Sequence, residues 1–272
     1  MREIACFQVD AFTRRTFHGN PAAVCPLDAW LPDALLQAIA AENNLAETAF
    51  FVPRAGSKDD FDLRWMTPTV EVDLCGHATL ATAFVLMTRL ERGRTRARFH
   101  TQSGPLEVTR DGEAYTLDFP SRPPSEGGRS GIDALGAALG ARPIAVGGAR
   151  DALALFTTAE EVRALKPDFA RIAALDTFAV IATAPGTGAD ADVDFVSRFF
   201  APRQGIDEDP VTGSAHATLT PYWAARLGKT TLDARQVSAR TGELRCVLAE
   251  DRVRLTGHAV LVKTGNMVLP EG

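Results

Sequence analysis

The side chains that could do chemistry gather around two short motifs and one carboxylate. Cys75-Gly76-His77 and Gly213-Ser214-Ala215-His216 each open a predicted apolar helix. A helix start offers free backbone N–H groups and a partial positive charge, so either can hold an anion such as a carboxylate. Gly76 and Gly213 would let a ligand approach the backbone closely. Ser214 can cap its helix or give its hydroxyl to a bound carboxylate. Glu47 stands just before the apolar run Thr48 to Val52, where a half-desolvated carboxylate could take and return a proton near neutral pH. Each residue also has a plain reading: an exposed glutamate for Glu47, a core or capped histidine for His77, and a buried inert thiol for Cys75. Asp209 precedes Pro210 and could simply start a turn.

The elements that must position these groups follow from periodicity. Alternating or β-branched runs at Ile4 to Phe12, Thr48 to Val52, Phe61 to Met66, Phe99 to Thr101 and Leu106 to Thr109 predict strands, and Asp111-Gly112 predicts a hairpin. Helices are expected over Pro32 to Asn43 and His77 to Leu90, the second so apolar that strands must enclose it. The stretch Pro120 to Gly128 is the most linker-like. Beyond it, helices are expected at Ile132 to Leu139, Glu160 to Leu165 and Ser214 to Leu227. Strands are expected near Ala152 to Phe156, Thr177 to Ala182 and Val193 to Phe200, and a hairpin-like segment over Val237 to Val247 and Val253 to Leu255.

The second half repeats the first. His77-Ala78-Thr79-Leu80 recurs as His216-Ala217-Thr218-Leu219, Ser103-Gly104-Pro105-Leu106 resembles Thr241-Gly242-Glu243-Leu244, and the strand around Arg64 resembles that around Arg198. His77 lies 27 residues before Gly104, and His216 lies 26 before Gly242. Three ordered blocks at nearly matched spacing predict a duplicated domain, with the two helix starts facing each other across a cleft that suits a small anionic metabolite. In this register Ser214 occupies the position of Cys75.

Composition excludes several classes. The 272 residues are 46% hydrophobic and 23% charged, with a formal charge of −5. That is ordinary for a folded two-domain protein and gives neither nucleic acid nor an anionic membrane a reason to bind. The four cysteines show no C-x-x-C pair, no apolar run reaches membrane-spanning length, and the N-terminus does not read as a signal peptide, so a cytoplasmic location is expected. No nucleotide-binding glycine motif appears, and neither thiols nor carboxylates have metal-ligand spacing. No metal and no cofactor are expected.

Five motifs then resemble one family. Phe17-His18-Gly19-Asn20-Pro21-Ala22-Ala23-Val24, Glu42 to Phe50, Arg64-Trp65-Met66-Thr67-Pro68, Glu71 to Thr79 and Glu208 to Ala215 run in the order of the PhzF-like phenazine-biosynthesis family, and the resemblance covers nearly the whole chain. It implies an α+β fold of two pseudo-symmetric, diaminopimelate-epimerase-like domains, each a β-barrel-like sheet around a central helix. The halves would be residues 1–119 and 120–259, with about 260–272 placed to pack back onto the first and the active site in the cleft between them. It further implies a homodimer and a cofactor-independent isomerase similar to trans-2,3-dihydro-3-hydroxyanthranilate isomerase. Glu47 falls on the family's catalytic acid/base, Asp209 on a carboxylate that contacts substrate or relays a proton, and His77 on a hydrogen-bond donor to substrate. Gly76, Gly213, Ser214 and Cys75 fall among the substrate-binding positions. His216, and Glu208 beside Asp209, have weaker support, and Asn20 is left outside the catalytic set.

Fold relatives that racemise amino acids use one cysteine at each helix start. Ser214 cannot replace a thiolate base, which disfavours that reaction here. An amino-acid racemase or epimerase using Cys75 and a carboxylate therefore stands second. A Cys75/His77 hydrolase lacks an evident third residue to orient the histidine, and a non-catalytic metabolite-binding protein is the remaining alternative.

Overall fold

The computed structural model describes residues 2–57 and 59–270. The chain forms two compact units, residues 1–118 with 256–272, and residues 119–255.

In the first unit β1 (Arg2–Ala11) pairs antiparallel with β2 (Asn20–Pro26), and β2 pairs parallel with β3 (Glu47–Pro53) after the crossover helix α1 (Asp33–Asn43). Strand β4 (Asp60–Met66) lies antiparallel to β3 and pairs with the short β5 (Glu71–Val72). Helix α2 (Gly76–Val85) follows and is extended by a π-helical turn, Leu86–Leu90. Strand β6 (Arg96–Thr101) returns parallel to β4, and β7 (Gly104–Asp111) and β8 (Ala114–Pro120) continue antiparallel through the expected Asp-Gly turn. The alternation read in the sequence is the burial pattern: Phe61, Leu63 and Trp65 face the core, while Asp60, Asp62 and Arg64 between them are partly exposed. Helix α2 carries mostly small and apolar residues because strands surround it. From His77 to Val85 all but Phe84 are buried, and the helix packs on β1, β2, β3 and β7.

The second unit holds β9 (Ser125–Glu126), α3 (Ile132–Leu139), β10 (Ala145–Gly148), β11 (Ala152–Leu155), α4 (Ala159–Ala164) and α5 (Phe169–Ala174). It continues with β12 (Val180–Pro185), β13 (Phe195–Ala201), β14 (Ile206–Glu208), α6 (Gly213–Leu227), β15 (Thr231–Gln236), β16 (Gly242–Ala249) and β17 (Arg252–Gly257). The last strand, β18 (Ala259–Leu269), belongs to the first unit, where it pairs antiparallel with β1. Helix α5 has no counterpart in the expectations above. Its signal was Asp168, whose side chain caps it by accepting from the Arg171 N–H. Helix α6 contains Pro221, which cannot donate to the carbonyl four residues back. That carbonyl, on Ala217, accepts instead from the Arg122 N–H at 2.9 Å.

The duplication holds at the level of topology. In both units an antiparallel pair (β1–β2, β10–β11) is followed by a parallel partner (β3, β12), an antiparallel strand (β4, β13) and a short strand (β5, β14). A buried helix, a strand parallel to the fourth one (β6, β15) and an antiparallel return (β7, β16) then complete the series. Arg64 on β4 grips Glu71 on β5 through two hydrogen bonds of 2.8 and 2.7 Å, and Arg198 on β13 grips Glu208 on β14 through two of 2.8 Å. Each arginine also ties in the helix crossing its sheet: Arg64 bonds Asp33 in the first turn of α1, and Arg198 donates to the Val162 and Leu165 carbonyls at the end of α4.

The Arg198–Glu208 pair is mostly withdrawn from water, with 12% and 20% of the two side chains exposed. Arg198→Met should therefore cost about 2–4 kcal/mol, somewhat under the value for a fully buried pair, because it strands a carboxylate and two carbonyls. The double variant Arg198→Met/Glu208→Leu should be the more stable of the two in urea unfolding. An equal or larger loss in the double variant would show that the pair is net stabilising by itself.

Candidate active site

Three of the expected residues meet in the first unit. Glu47 is the first residue of β3, Cys75 is the N-cap residue of α2, and His77 lies one residue inside it. All three are buried. The parallel register of β2 with β3, Ala22 opposite Glu47, brings the carboxylate to the level of the helix start. One Glu47 oxygen, Oε2, lies 3.0 Å from His77 Nε2, but neither atom has an in-line hydrogen-bond partner. At the other ring nitrogen, Nδ1 is 3.4 Å from Cys75 Sγ and 3.1 Å from the Asn20 amide. Asn20, which sequence reasoning left outside the catalytic set, is thus a direct partner of the ring. It is held there by Gly19, where a Cβ would lie 2.1 Å from the Ala11 carbonyl oxygen on a backbone with φ of +64°. An amide has one donor end and one acceptor end, so turned one way Asn20 serves the neutral ring and turned the other way the imidazolium.

Electrostatics separate the three groups. Burial works against a charged His77, but the Cys75 and Glu47 groups on either side outweigh it and raise its pKa well above the ordinary histidine range. Burial, and then the Glu47 charge, push the Cys75 thiol up to about 11. With the thiol protonated at neutral pH, Glu47 is the partner that keeps a proton on the ring. Two sequence expectations change here. Glu47 supplies the third residue that a Cys75/His77 pair seemed to lack, although a thiol so reluctant to ionise makes a poor nucleophile. The donor atoms of Glu47, Cys75 and His77 also all lie within 4.8 Å of one another, a set that could hold a metal ion. Sequence spacing conceals this because strand pairing, not chain proximity, brings Glu47 in.

Of the remaining expected residues, Asp209, Gly213 and Ser214 lie in the second unit. Asp209 is half-buried in the turn before α6 and accepts the Thr212 hydroxyl. Its backbone N–H donates to Phe199 and its carbonyl accepts from the Gln236 side chain at 2.6 Å. Gln236 is fully buried and also accepts the Thr212 N–H, so it locks the turn. A glutamine at a strand end carries no sequence signal for that role. Glu208, next to Asp209, has both oxygens clamped by Arg198 and is a structural residue.

Gly76 and Gly213 are the first residues of α2 and α6, but Ser214 does not cap its helix. The N-cap is Thr212, because α6 begins earlier relative to the repeated histidine than α2 does. Ser214 lies in the first turn, where its hydroxyl accepts from Arg150, whose guanidinium stacks 4.1 Å from the Phe178 ring centre. The Thr212 hydroxyl turns to Asp209 instead of the helix, so neither α2 nor α6 is closed by a side-chain oxygen.

A family model described as phenazine biosynthesis-like protein matches residues 9–265. The chain belongs to that family. It is 51% identical to an uncharacterized isomerase of Pseudomonas aeruginosa over 98% of this chain and 100% of the relative. A crystal structure of a PhzF-family phenazine biosynthesis protein from Enterococcus faecalis superposes with a TM-score of 0.93 at 46% identity, covering 98% of this chain and 100% of that one. A probable proline racemase from Agrobacterium radiobacter shares the fold alone, with a TM-score of 0.61 at 13% identity over 98% of this chain and 93% of the other. The expected α+β fold of the epimerase-like type is therefore present, and the chain is an isomerase of the PhzF-like family. Among the described residues no helix is long and apolar enough to cross a membrane.

His216, the repeat partner of His77, behaves in the opposite way. Its Nδ1 donates to the Thr212 carbonyl at 2.7 Å, Nε2 has no partner, and burial pushes it down to about 4. The reason lies in the register: Phe50 pairs with Arg64 and Ala182 with Arg198, so the residue matching Glu47 is Ala179. A histidine whose pKa is lower in the folded protein leaves it fully stabilised above the ordinary 6.5, and that contribution is lost as pH falls towards 4. Compared with His216→Gln, the native protein should lose up to about 3 kcal/mol more over this window, read by urea unfolding at a series of pH values. Parallel curves would mean that the ring titrates normally.

Proposed function

We propose that this isomerase moves a proton within a small carboxylate-bearing metabolite, with Glu47 removing it from one carbon and returning it to another. The observation that carries the proposal is the buried Glu47–His77 contact, whose facing atoms Oε2 and Nε2 come within 3.0 Å yet lack in-line partners beside a helix start that no side-chain oxygen closes. Buried polar atoms left in this state cost free energy unless a bound group completes them. A substrate carboxylate at a helix N-terminus places an acidic C–H near a base, and the carboxylate oxygen accepts that proton while His77 supports the developing negative charge. Asn20 holds the ring in either protonation state. Asp209, Gly213 and Ser214 are assigned to substrate binding, with Asp209 as a further proton relay. The resemblance of the whole chain to the PhzF-like family supports a substrate similar to trans-2,3-dihydro-3-hydroxyanthranilate, and the reaction needs no cofactor in this reading.

Racemisation through Cys75 is the less favoured alternative, since its thiol is held at about 11 and Ser214 provides no second one. Both reactions would exchange solvent deuterium into small cyclic or amino carboxylates, which a non-catalytic metabolite-binding protein would not. Glu47→Gln keeps shape and reach but removes the base, so turnover and deuterium uptake should both fall by about 10²–10⁴-fold while ligand affinity changes little. Retained turnover would remove Glu47 from the role and leave Asp209 as the next candidate.

Cys75→Ala, in contrast, should stay within about tenfold of the native rate, or about 1.4 kcal/mol of barrier. A loss of about 10⁴-fold in a folded Cys75→Ala protein would establish the thiol as a catalytic group. Activity should survive exhaustive chelation, and loss restored by one metal ion would assign the Glu47, Cys75 and His77 cluster to that ion instead.

A further inference from the structure

Two other cysteines sit across one sheet ladder in the first unit. Strand β1 pairs with β2 as Phe7 opposite Val24, and the same register carried one residue further sets Cys6 opposite Cys25. The two share a face: Cys25 belongs to the core cluster under α1, and Cys6 packs against that cluster from its edge. Their thiols interact with each other, and the Cys6 thiol also reaches the Asn43 amide oxygen at 3.9 Å. Directly opposed residues of an antiparallel pair have Cα atoms about 4.5–5.5 Å apart, inside the range that a disulfide spans.

The surroundings of the two thiols differ. Cys25 is fully buried, whereas Cys6 is half-buried and lines an open recess with Asn43, Lys263, Gly265 and Met267. The recess exists because Gly265 is the residue opposite Cys6 on β18 and has no side chain to cover the sulfur. Lys263, two residues before it, pairs with Gln8 and so stands diagonally across from Cys6 on the same face.

We propose that Cys6 and Cys25 form an oxidation site that takes a hydroperoxide through this recess, with Cys6 as the thiol that attacks the peroxide and Cys25 as the resolving one. The Cys6 thiolate attacks the terminal oxygen of the peroxide, so that an S–O bond forms as the O–O bond breaks, which gives a sulfenic acid and expels hydroxide or alkoxide that takes a proton to leave as water or an alcohol. The Cys25 thiol then attacks the sulfenic sulfur, the S–S bond forms, and its proton leaves with the hydroxyl as water. The peroxide is reduced and the thiol pair is oxidised. A dithiol reductant reverses the second product by exchange. The electrostatics suit the two roles. The Cys25 thiol and the Lys263 charge outweigh burial and bring Cys6 down to about 7, while the Cys6 thiol and burial hold Cys25 well above the ordinary range. Cys75 and Cys246 are buried, pushed up to about 11 and about 12, and serve as internal controls.

The test uses the native chain with hydrogen peroxide, digestion without reductant, and mass mapping of the cysteine peptides. The expected product is a linked Cys6–Cys25 peptide pair lighter by two hydrogens and restored by dithiothreitol. In Cys25→Ser, Cys6 should be trapped by dimedone as the sulfenic acid, and in Cys6→Ser neither product should form. At pH 7, iodoacetamide should label Cys6 at least about tenfold faster than Cys75 or Cys246 in the folded native protein. Absence of the Cys6–Cys25 link, a link through Cys75 or Cys246, or equal labelling of all four thiols would each overturn the proposal.

Discussion

A carboxylate and an imidazole buried 3.0 Å apart set the main constraint on the first unit. Removing both from water costs several kcal/mol unless each stabilises the other, so their placement cannot drift by even an ångström. That precision comes from backbone pairing. Glu47 is fixed by the parallel register of β2 and β3, His77 by a helix with apolar or small residues on nearly every face, and Asn20 by a turn that only Gly19 can make. None of these contacts is local in the chain. The enclosed helix is what makes the pair possible, because a helix with one wet face would hydrate the histidine and uncouple it from the carboxylate.

The duplication shows what the second unit gave up and kept. Both halves preserve the arginine that clamps a glutamate on the short strand and reaches a crossover helix, which identifies that grip as part of the scaffold. Both also preserve the helix histidine, but only one faces a carboxylate. Where β3 begins with Glu47, β12 is preceded by Ala179, and the histidine ring changes from proton-holding to proton-refusing. The absence of a carboxylate at this register position, together with Ser214 in the place of Cys75, therefore separates a titrating site from a neutral one. In its place the second unit has built a rigid turn, with Gln236 bonding Asp209 and Thr212 ahead of α6.

Much of this was legible in the residues themselves. The repeated His-Ala-Thr-Leu, the matched spacing to Gly104 and Gly242, and the apolar saturation of α2 carry the topology, because burial leaves a periodic trace. The arginine strands were also aligned correctly, and the structure shows the reason in their shared clamp. What could not be read depends on pairing between distant segments. Nothing near Gln236 marks it as the lock of a turn 24 residues away. The Asn20–His77 contact and the approach of Glu47 to Cys75 need the register of three strands. Ser214 reads as a potential cap in the sequence but is none in the fold for a different reason: sequence repeats align side chains, whereas a helix begins where the backbone turns, and α6 turns earlier than α2. Helix α5 is short and owes its start to a cap whose two-residue signal, Pro167-Asp168, also suits a loop.

The degree to which polar groups are satisfied separates structure from chemistry in this molecule. Glu208 has each oxygen on a guanidinium nitrogen, and Gln236 uses both ends of its amide, so neither has capacity left for a ligand. Glu47 and His77 are as deeply buried as those groups, yet the atoms they turn towards each other have no in-line partner. A folded protein tolerates such a deficit only where the rest of the unit is stable enough to offset it. The same contrast explains why the thiol beside the pair is an unpromising base despite its proximity. Cys75 is pushed up by burial and by the charge on Glu47, so the carboxylate that qualifies as a proton acceptor also keeps its neighbour protonated. Two bases at one helix start would compete for the same proton, and the field of Glu47 settles that competition in favour of the carboxylate.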